Sequence, residues 1–169
     1  MNSISLRAPE PTDADFMYDI ENDTDAWKYG DTVAPISRKM LRDYALSYDA
    51  DPFGSGQLRL VACDSRTGDP VGLADLYDIS QRHSRAFIGI YIRRAYRGKG
   101  YGRDTIDALC KYARKVLMIS TLAAKISDDN PASLTLFSEC GFSHAATLSD
   151  WLRTPEGTSM AMHILTHHL

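Results

Sequence analysis

Ile90-Tyr91-Ile92-Arg93-Arg94-Ala95-Tyr96-Arg97-Gly98-Lys99-Gly100-Tyr101-Gly102 is the stretch on which the reading of this chain turns. It runs from an apolar strand end, through a turn with three glycines, into the start of a helix. Gly98, Gly100 and Gly102 let main-chain N–H groups approach an anion without interference from a Cβ. A helix N-terminus adds unpaired N–H groups and the positive end of a dipole. Arg97 and Lys99 add charge. The segment therefore reads as a pyrophosphate cradle. Other phosphate-binding turns do not fit. The G-x-x-x-x-G-K-[ST] pattern is missing, and counting from Gly98 puts Arg103 where a G-x-G-x-x-G turn needs glycine.

The flanking periodicity gives the fold. Residues 85–92 form the strand before the turn. The helix after it carries Ile106, Leu109, Cys110, Ala113, Val116 and Leu117 on one stripe. Residues 121–126 read as a buried strand, so residues 85–126 make a β-α-β crossover between neighbouring parallel strands. Upstream, residues 57–63 alternate with Leu58, Leu60 and Ala62 on one face. With 71–79 and 85–92 they form an antiparallel meander, joined by polar turns at 65–69 and 80–84.

The ends of the chain complete the pattern. A short strand over 4–7 is stopped by Pro9 and Pro11. A helix over 12–21 follows, capped by Thr12 or Asp13, with Phe16, Met17 and Ile20 on one face. Residues 22–35 read as a loop holding Trp27 and Tyr29. A second helix over 37–48 carries Met40, Leu41, Tyr44, Ala45 and Tyr48 at helical spacing. Asn130-Pro131 opens a late helix and Gly141 closes it. Residues 142–148 and 160–165 read as closing strands. The expected fold is one α/β (α+β) domain over residues 1–169, with a mixed central sheet combining an antiparallel meander and a parallel β-α-β unit.

Composition narrows the class. The chain has 169 residues, 44% hydrophobic and 24% charged, which suits a globular domain with a full core. Its net charge of −3 and the lack of any basic run longer than Arg93-Arg94 argue against a nucleic-acid partner. No apolar stretch is long enough to span a bilayer, and residues 1–10 lack the pattern of a secretory signal. Cys63, Cys110 and Cys140 are odd in number with no C-x-x-C spacing, which points to reduced thiols and a cytoplasmic setting. The scattered His and Cys residues predict no metal site.

Two spaced motifs resemble the GCN5-related N-acetyltransferase superfamily. Arg97-x-x-Gly100-x-Gly102 is similar to its Q/R-x-x-G-x-G/A signature. Asn130-x-x-Ser133-Leu134-x-Leu136-Phe137-x-x-x-Gly141-Phe142 is similar to its N-x-x-A/S-I/L-x-L-Y-x-x-x-G-F signature. Within the superfamily, residues 72–79 with His83-Ser84-Arg85-Ala86 look like the spermidine and ribosomal-protein acetyltransferase branch.

The resemblance implies acetyl-CoA as co-substrate and direct acetyl transfer to a primary amine. It implies that Ile90, Tyr91 and Ile92 pair through their backbone with the pantetheine arm, that the amides of Arg97, Gly98, Lys99, Gly100, Tyr101 and Gly102 hold the pyrophosphate, and that Asn130 and Phe137 contact the same molecule. Plain helix capping is the other reading of Asn130. The acceptor is a polyamine, a protein N-terminus or a small amine. The rival is a non-catalytic CoA-binding or sensing module. Dimers are common in the family, so a homodimer is the analogy for assembly.

The chemistry needs a neutral amine, a donor for the developing oxyanion and a route for the thiolate to leave. The Ile92 N–H is the expected oxyanion donor. Phe137 stands where the family carries its acidic Tyr and has no proton to give, which leaves Tyr91, Tyr101 and Cys140 as substitutes. Departure as thiolate at pH 7 costs only about 2 kcal/mol for a thiol of pKa roughly 8.5. A strand-borne Glu found in some relatives falls at Phe87. Asp75, Asp78 and His83 are candidate bases or cation-binding groups, with Asp75 and Tyr77 on one strand face and Asp78 on the other. Trp27 and Tyr29, with Glu21, Asp23 and Asp25 nearby, suit an ammonium by charge and cation–π contact. Solvated strand ends and loops are the alternative readings of Asp78, His83 and this acidic segment.

Overall fold

The computed structural model describes residues 4–154 and 156–169. The alternating middle of the chain becomes β2 (Gln57–Asp64), β3 (Pro70–Ser80) and β4 (Arg85–Ile92), paired antiparallel, with β1 (Ile4–Arg7) outside β2. Helix α5 (Tyr101–Lys115) crosses over and delivers β5 (Thr121–Ser127) parallel to β4. β7 (Ser159–His168) lies antiparallel to β5, and β6 (Ser143–Arg153) forms the far edge of a seven-stranded sheet ordered β1-β2-β3-β4-β5-β7-β6.

Both faces of β2 and β3 are covered, so these strands lose the clean polar alternation of a one-sided sheet. Leu58, Leu60, Leu76 and Ile88 pack against Ile106, Leu109 and Ala113 of α5 and against Phe137 of α6 (Pro131–Glu139). On the other face, Val61, Cys63 and Leu73 meet Met17 and Ile20 of α1 (Ala14–Glu21) and Leu41 and Ala45 of α3 (Arg38–Leu46).

Several local expectations are corrected. The first helix begins with a 3-10 turn over Pro11–Asp13. Asp13 then makes no side-chain cap bond, because its carboxylate takes both the Arg7 guanidinium and the Glu10 N–H. Residues 22–35 are not all loop: Thr24–Trp27 form one helical turn, α2, with Asp23 accepting from the Asp25 N–H. A second single turn, α4 (Pro52–Ser55), precedes β2. Met40 shares the α3 helical spacing yet is 60% exposed. Val116 leaves the α5 stripe because the helix ends at Lys115 and the chain unwinds there.

The β4–β5 ladder is short. It pairs only Arg85↔Thr121, Ala86↔Leu122 and Phe87↔Ala123, whereas β3 stays with β4 as far as Gly72↔Ile92 and β5 stays with β7 as far as Ser127↔Met162. Beyond Phe87 the two central strands part. Gly72 keeps β3 tight on the free stretch of β4, since a Cβ there would lie 2.1 Å from the Tyr91 carbonyl oxygen. Gly72→Ala should therefore push β3 and β4 apart and lower stability by about 1–3 kcal/mol, measured by urea denaturation.

Candidate active site

The parting strands expose backbone on one bank. Arg93 N–H bonds to the Val71 carbonyl at 2.9 Å. Antiparallel alternation then turns the N–H and C=O of Ile92 and Ile90 away from β3, into the gap. The Arg97 Nε donates to the Ile92 oxygen at 2.8 Å, which fixes that direction independently. Ile90 and Ile92 thus offer free edge amides. Tyr91 does not: its backbone faces β3, which corrects its expected main-chain contact.

The turn after β4 has the conformation its glycines predict. Gly98 and Gly100 sit at φ +70° and +88°, a region that L side chains rarely adopt. Gly100 is the N-cap of α5 and brings no capping side chain. The intrahelical bonds begin with the Asp104 N–H to Gly100 O at 3.1 Å, leaving the amides of Tyr101, Gly102 and Arg103 without helical partners. Gly102 serves packing as well, since a Cβ there would stand 3.0 Å from Leu136 Cδ2 of α6. The Lys99 Nζ reaches the Ala95 carbonyl.

The substitute acids are occupied or withdrawn. The Tyr101 hydroxyl donates to Asp64 Oδ2 at 2.6 Å, a bond that raises its pKa and fastens α5 to the β2–β3 turn. Tyr101 can therefore serve the cradle through its backbone alone. Burial raises the Cys140 thiol. The Tyr91 hydroxyl donates to Asp23 Oδ2 at 2.7 Å, and burial first, then this bond, raises its pKa. The Phe137 ring is 3% exposed and packs edge-on against Phe142, so it is a core side chain rather than a wall of the gap. The Asn130 Oδ1 caps α6 by accepting from the Ser133 N–H at 3.2 Å.

On the α1 side of the sheet lies a cavity of about 500 Å³ lined by Asp31, Tyr44, Gln57, Leu58, Arg59, Asp75, Leu76 and Tyr77. Arg59 holds Asp75 through two bonds of 2.8 and 2.9 Å and Glu21 through a third. Burial works against the Arg59 charge, but these carboxylates raise its pKa overall. Asp75 is thus fixed at the cavity with both oxygens engaged by Arg59. Tyr77 stacks on Phe87 at 5.5 Å, and burial pushes its hydroxyl up to about 12. Asp78, at φ +48°, pairs with Arg85 where the β3–β4 register slips. His83 lies in the exposed turn before β4, at the opposite end of that strand from the cradle.

The segment around α2 is tied to both banks. Arg94, just after β4, pairs with Asp23 and Asp25, while Lys28 pairs with Asp129 at 3.1 Å, beside Asn130 on the β5 side. The Trp27 indole donates to the Glu21 carbonyl, and Lys28 lies over the Tyr29 ring, so both aromatics have local partners. Sequence reading did not single out Arg59, Asp31 and Tyr44 as lining this cavity. Only the alternation of Gln57 and Arg59 opposite Leu58 and Leu60 pointed toward this face. Among the described residues no group of three or more His, Cys, Asp or Glu is placed to hold a metal, and no helix is long and apolar enough to cross a membrane.

Known proteins resemble this chain in sequence and in fold. A family model described as an acetyltransferase (GNAT) domain matches residues 3–143. The chain is 27% identical to the spermidine N(1)-acetyltransferase of Vibrio cholerae over 84% of its length and 80% of the relative's. It is 24% identical to the uncharacterized N-acetyltransferase p20 of Bacillus licheniformis, over 88% and 83% of the two chains. The crystal structure of the Vibrio cholerae spermidine N-acetyltransferase with CoA and spermine superposes with a TM-score of 0.87 at 23% identity, over 98% of this chain and 95% of that one. The chain belongs to the GNAT acetyltransferase family and is an acetyl-CoA-dependent N-acetyltransferase.

Two tests follow from the geometry. Gly100→Asp places charge and a Cβ at a left-handed position in the cradle, and CoA affinity by calorimetry should fall at least about tenfold. The Tyr91 hydroxyl, then Arg94, hold the Asp23 carboxyl below its ordinary value. A lowered folded pKa stabilises above the unfolded value and is lost as pH falls through the folded one. The stability gap between wild type and Asp23→Asn should therefore be open at pH 7 and close below about pH 4.

Proposed function

We propose that the protein acetylates a polyamine or a similar multiply charged alkyl amine, with acetyl-CoA along the β4–β5 gap and the amine in the cavity of Asp31 and Asp75. The carrying observation is the charge of that cavity. Asp31 and Asp75 line it and Glu21 stands behind, against the single guanidinium of Arg59. A distal ammonium is held there by charge, with Tyr44 and Tyr77 as aromatic walls. The spermidine acetyltransferase relatives support this choice of acceptor, and a dodecameric Vibrio cholerae neighbour supports self-association of this chain.

The remaining residues fit the co-substrate. Acetyl-CoA supplies the activated acetyl group. The first-turn amides of α5 and the amides of residues 98–100 face its pyrophosphate, where a helix N-terminus favours anions, whereas the Arg97 N–H expected there donates to the Arg94 carbonyl at 3.2 Å. The N–H groups of Ile90 and Ile92 pair with its arm, and the Ile90 N–H, nearer the base of the gap than the expected Ile92 donor, stabilises negative charge on the acetyl oxygen. Asp75, engaged by Arg59, acts as a fixed charge that orients the amine rather than as a base. The reacting ammonium gives its proton to water in the open cavity, helped by its partial desolvation.

CoA release followed across an amine panel checks the proposal. Spermidine and spermine should stimulate release strongly, and a neutral-tailed monoamine or a peptide N-terminus weakly. Asp31→Asn should raise KM for the polyamine by about three- to tenfold with little change in kcat. Equal rates for mono- and polyamines would overturn the acceptor assignment. Bound CoA with no amine-stimulated release would make the chain a binding module instead.

A further inference from the structure

Lys125 stands where the central strands separate. It lies on β5 two residues past Ala123, the last residue paired to β4, and on the same sheet face as Phe87, its partner. The residue is exposed, yet its ammonium end lies over aromatic rings rather than away from the sheet. The Nζ lies 4.4 Å from the Phe87 ring centroid on β4 and 5.7 Å from the Tyr77 centroid on β3. The ammonium thus reaches back across the base of the gap, to the ring that borders the acceptor cavity. No ion pair to it occurs among the described residues, although Asp31, Asp75 and Asp78 are all close enough to Tyr77 to act on its hydroxyl.

We propose that Lys125 is a catalytic residue that stabilises the departing thiolate, in place of the acid that Phe137 cannot supply. The proposal rests on the reading of the gap as the acetyl-CoA slot. With the pyrophosphate at the cradle after Ile92, the arm runs down the open stretch of β4 from Ile92 to Ile88, about 13 Å of strand. Its reacting end then lies toward the base of the gap, where the two strands meet and where the Lys125 ammonium sits. As the amine nitrogen bonds to the carbonyl carbon, the C–S bond breaks and its electron pair stays on sulfur. The nitrogen's surplus proton goes to water. An ammonium beside a sulfur anion lowers the thiol pKa and so eases departure. The aromatic pair keeps the cation in place without neutralising it, as a carboxylate partner would.

The test titrates the thiol of bound CoA through the ultraviolet absorbance of its thiolate, in wild type, Lys125→Met and Lys125→Arg. The thiol should titrate about one pH unit higher in Lys125→Met and near the wild-type value in Lys125→Arg. CoA affinity below the thiol pKa should stay within about twofold of wild type, since the thiol is then neutral. In turnover, kcat of Lys125→Met should fall about tenfold, and the deficit should shrink with acetyl thioesters of more acidic thiols, a dependence a packing role would not produce. Identical thiol titrations in wild type and Lys125→Met, with CoA bound, would overturn the role of Lys125 alone. A wild-type protein that binds no CoA would overturn the slot and this proposal with it.

Discussion

The parting of β4 from β5 after the Phe87↔Ala123 pair organises this molecule. A central sheet normally satisfies its backbone internally, and an unpaired edge in its middle would be unfavourable without a partner. Here the separation is held open by structure on both sides. β3 stays locked on β4 through the close approach at Gly72, and β7 stays locked on β5 to its end. The free amides of Ile90 and Ile92 therefore form a preformed edge for an extended, amide-bearing molecule, much as an edge strand receives a peptide. The crossover helix begins beside the mouth of this slot, so one connection supplies both a set of unpaired first-turn amides and the covering of the opposite face.

Charge is divided across the slot. The turn side carries helix-terminal amides with Arg97 and Lys99 folded over neighbouring carbonyls. The acceptor side carries Glu21, Asp31 and Asp75 around Arg59. On the proposed reading, an anionic co-substrate and a cationic acceptor would be drawn to different walls of one junction, which would orient them before any bond changes. Arg59 lies between two of the carboxylates and offsets their mutual repulsion, so the cavity holds its shape while retaining net negative charge.

What could be read from the chain depended on how local the signal was. The cradle was legible because turn, glycines and helix start are contiguous, and Gly98 and Gly100 adopt the positive φ that their residue type suggests. The sheet was legible because alternation persists through β2, β3 and β4. The acceptor cavity was not, because Asp31, Tyr44, Arg59 and Asp75 come from a loop, a helix and two strands, and no spacing rule links them. The α2 turn escaped because its Asp and Thr composition also suits a loop, and it is fixed by tertiary ion pairs rather than by propensity. Tyr91 lies in β4 as the alternation suggests, but no local pattern reveals that the register sends its backbone to β3 and its hydroxyl to Asp23.

The Asn22 side chain hydrogen-bonds the Tyr18 and Ile36 carbonyls and the Ile36 N–H, a closed clamp fourteen residues wide. The two ends of the intervening segment are thus held together at one side chain, and the ion pairs of Asp23, Asp25 and Lys28 act on a loop whose neck is already closed. A closed neck shortens the free chain those contacts must order, and so reduces the entropy lost when the segment settles between the two strands.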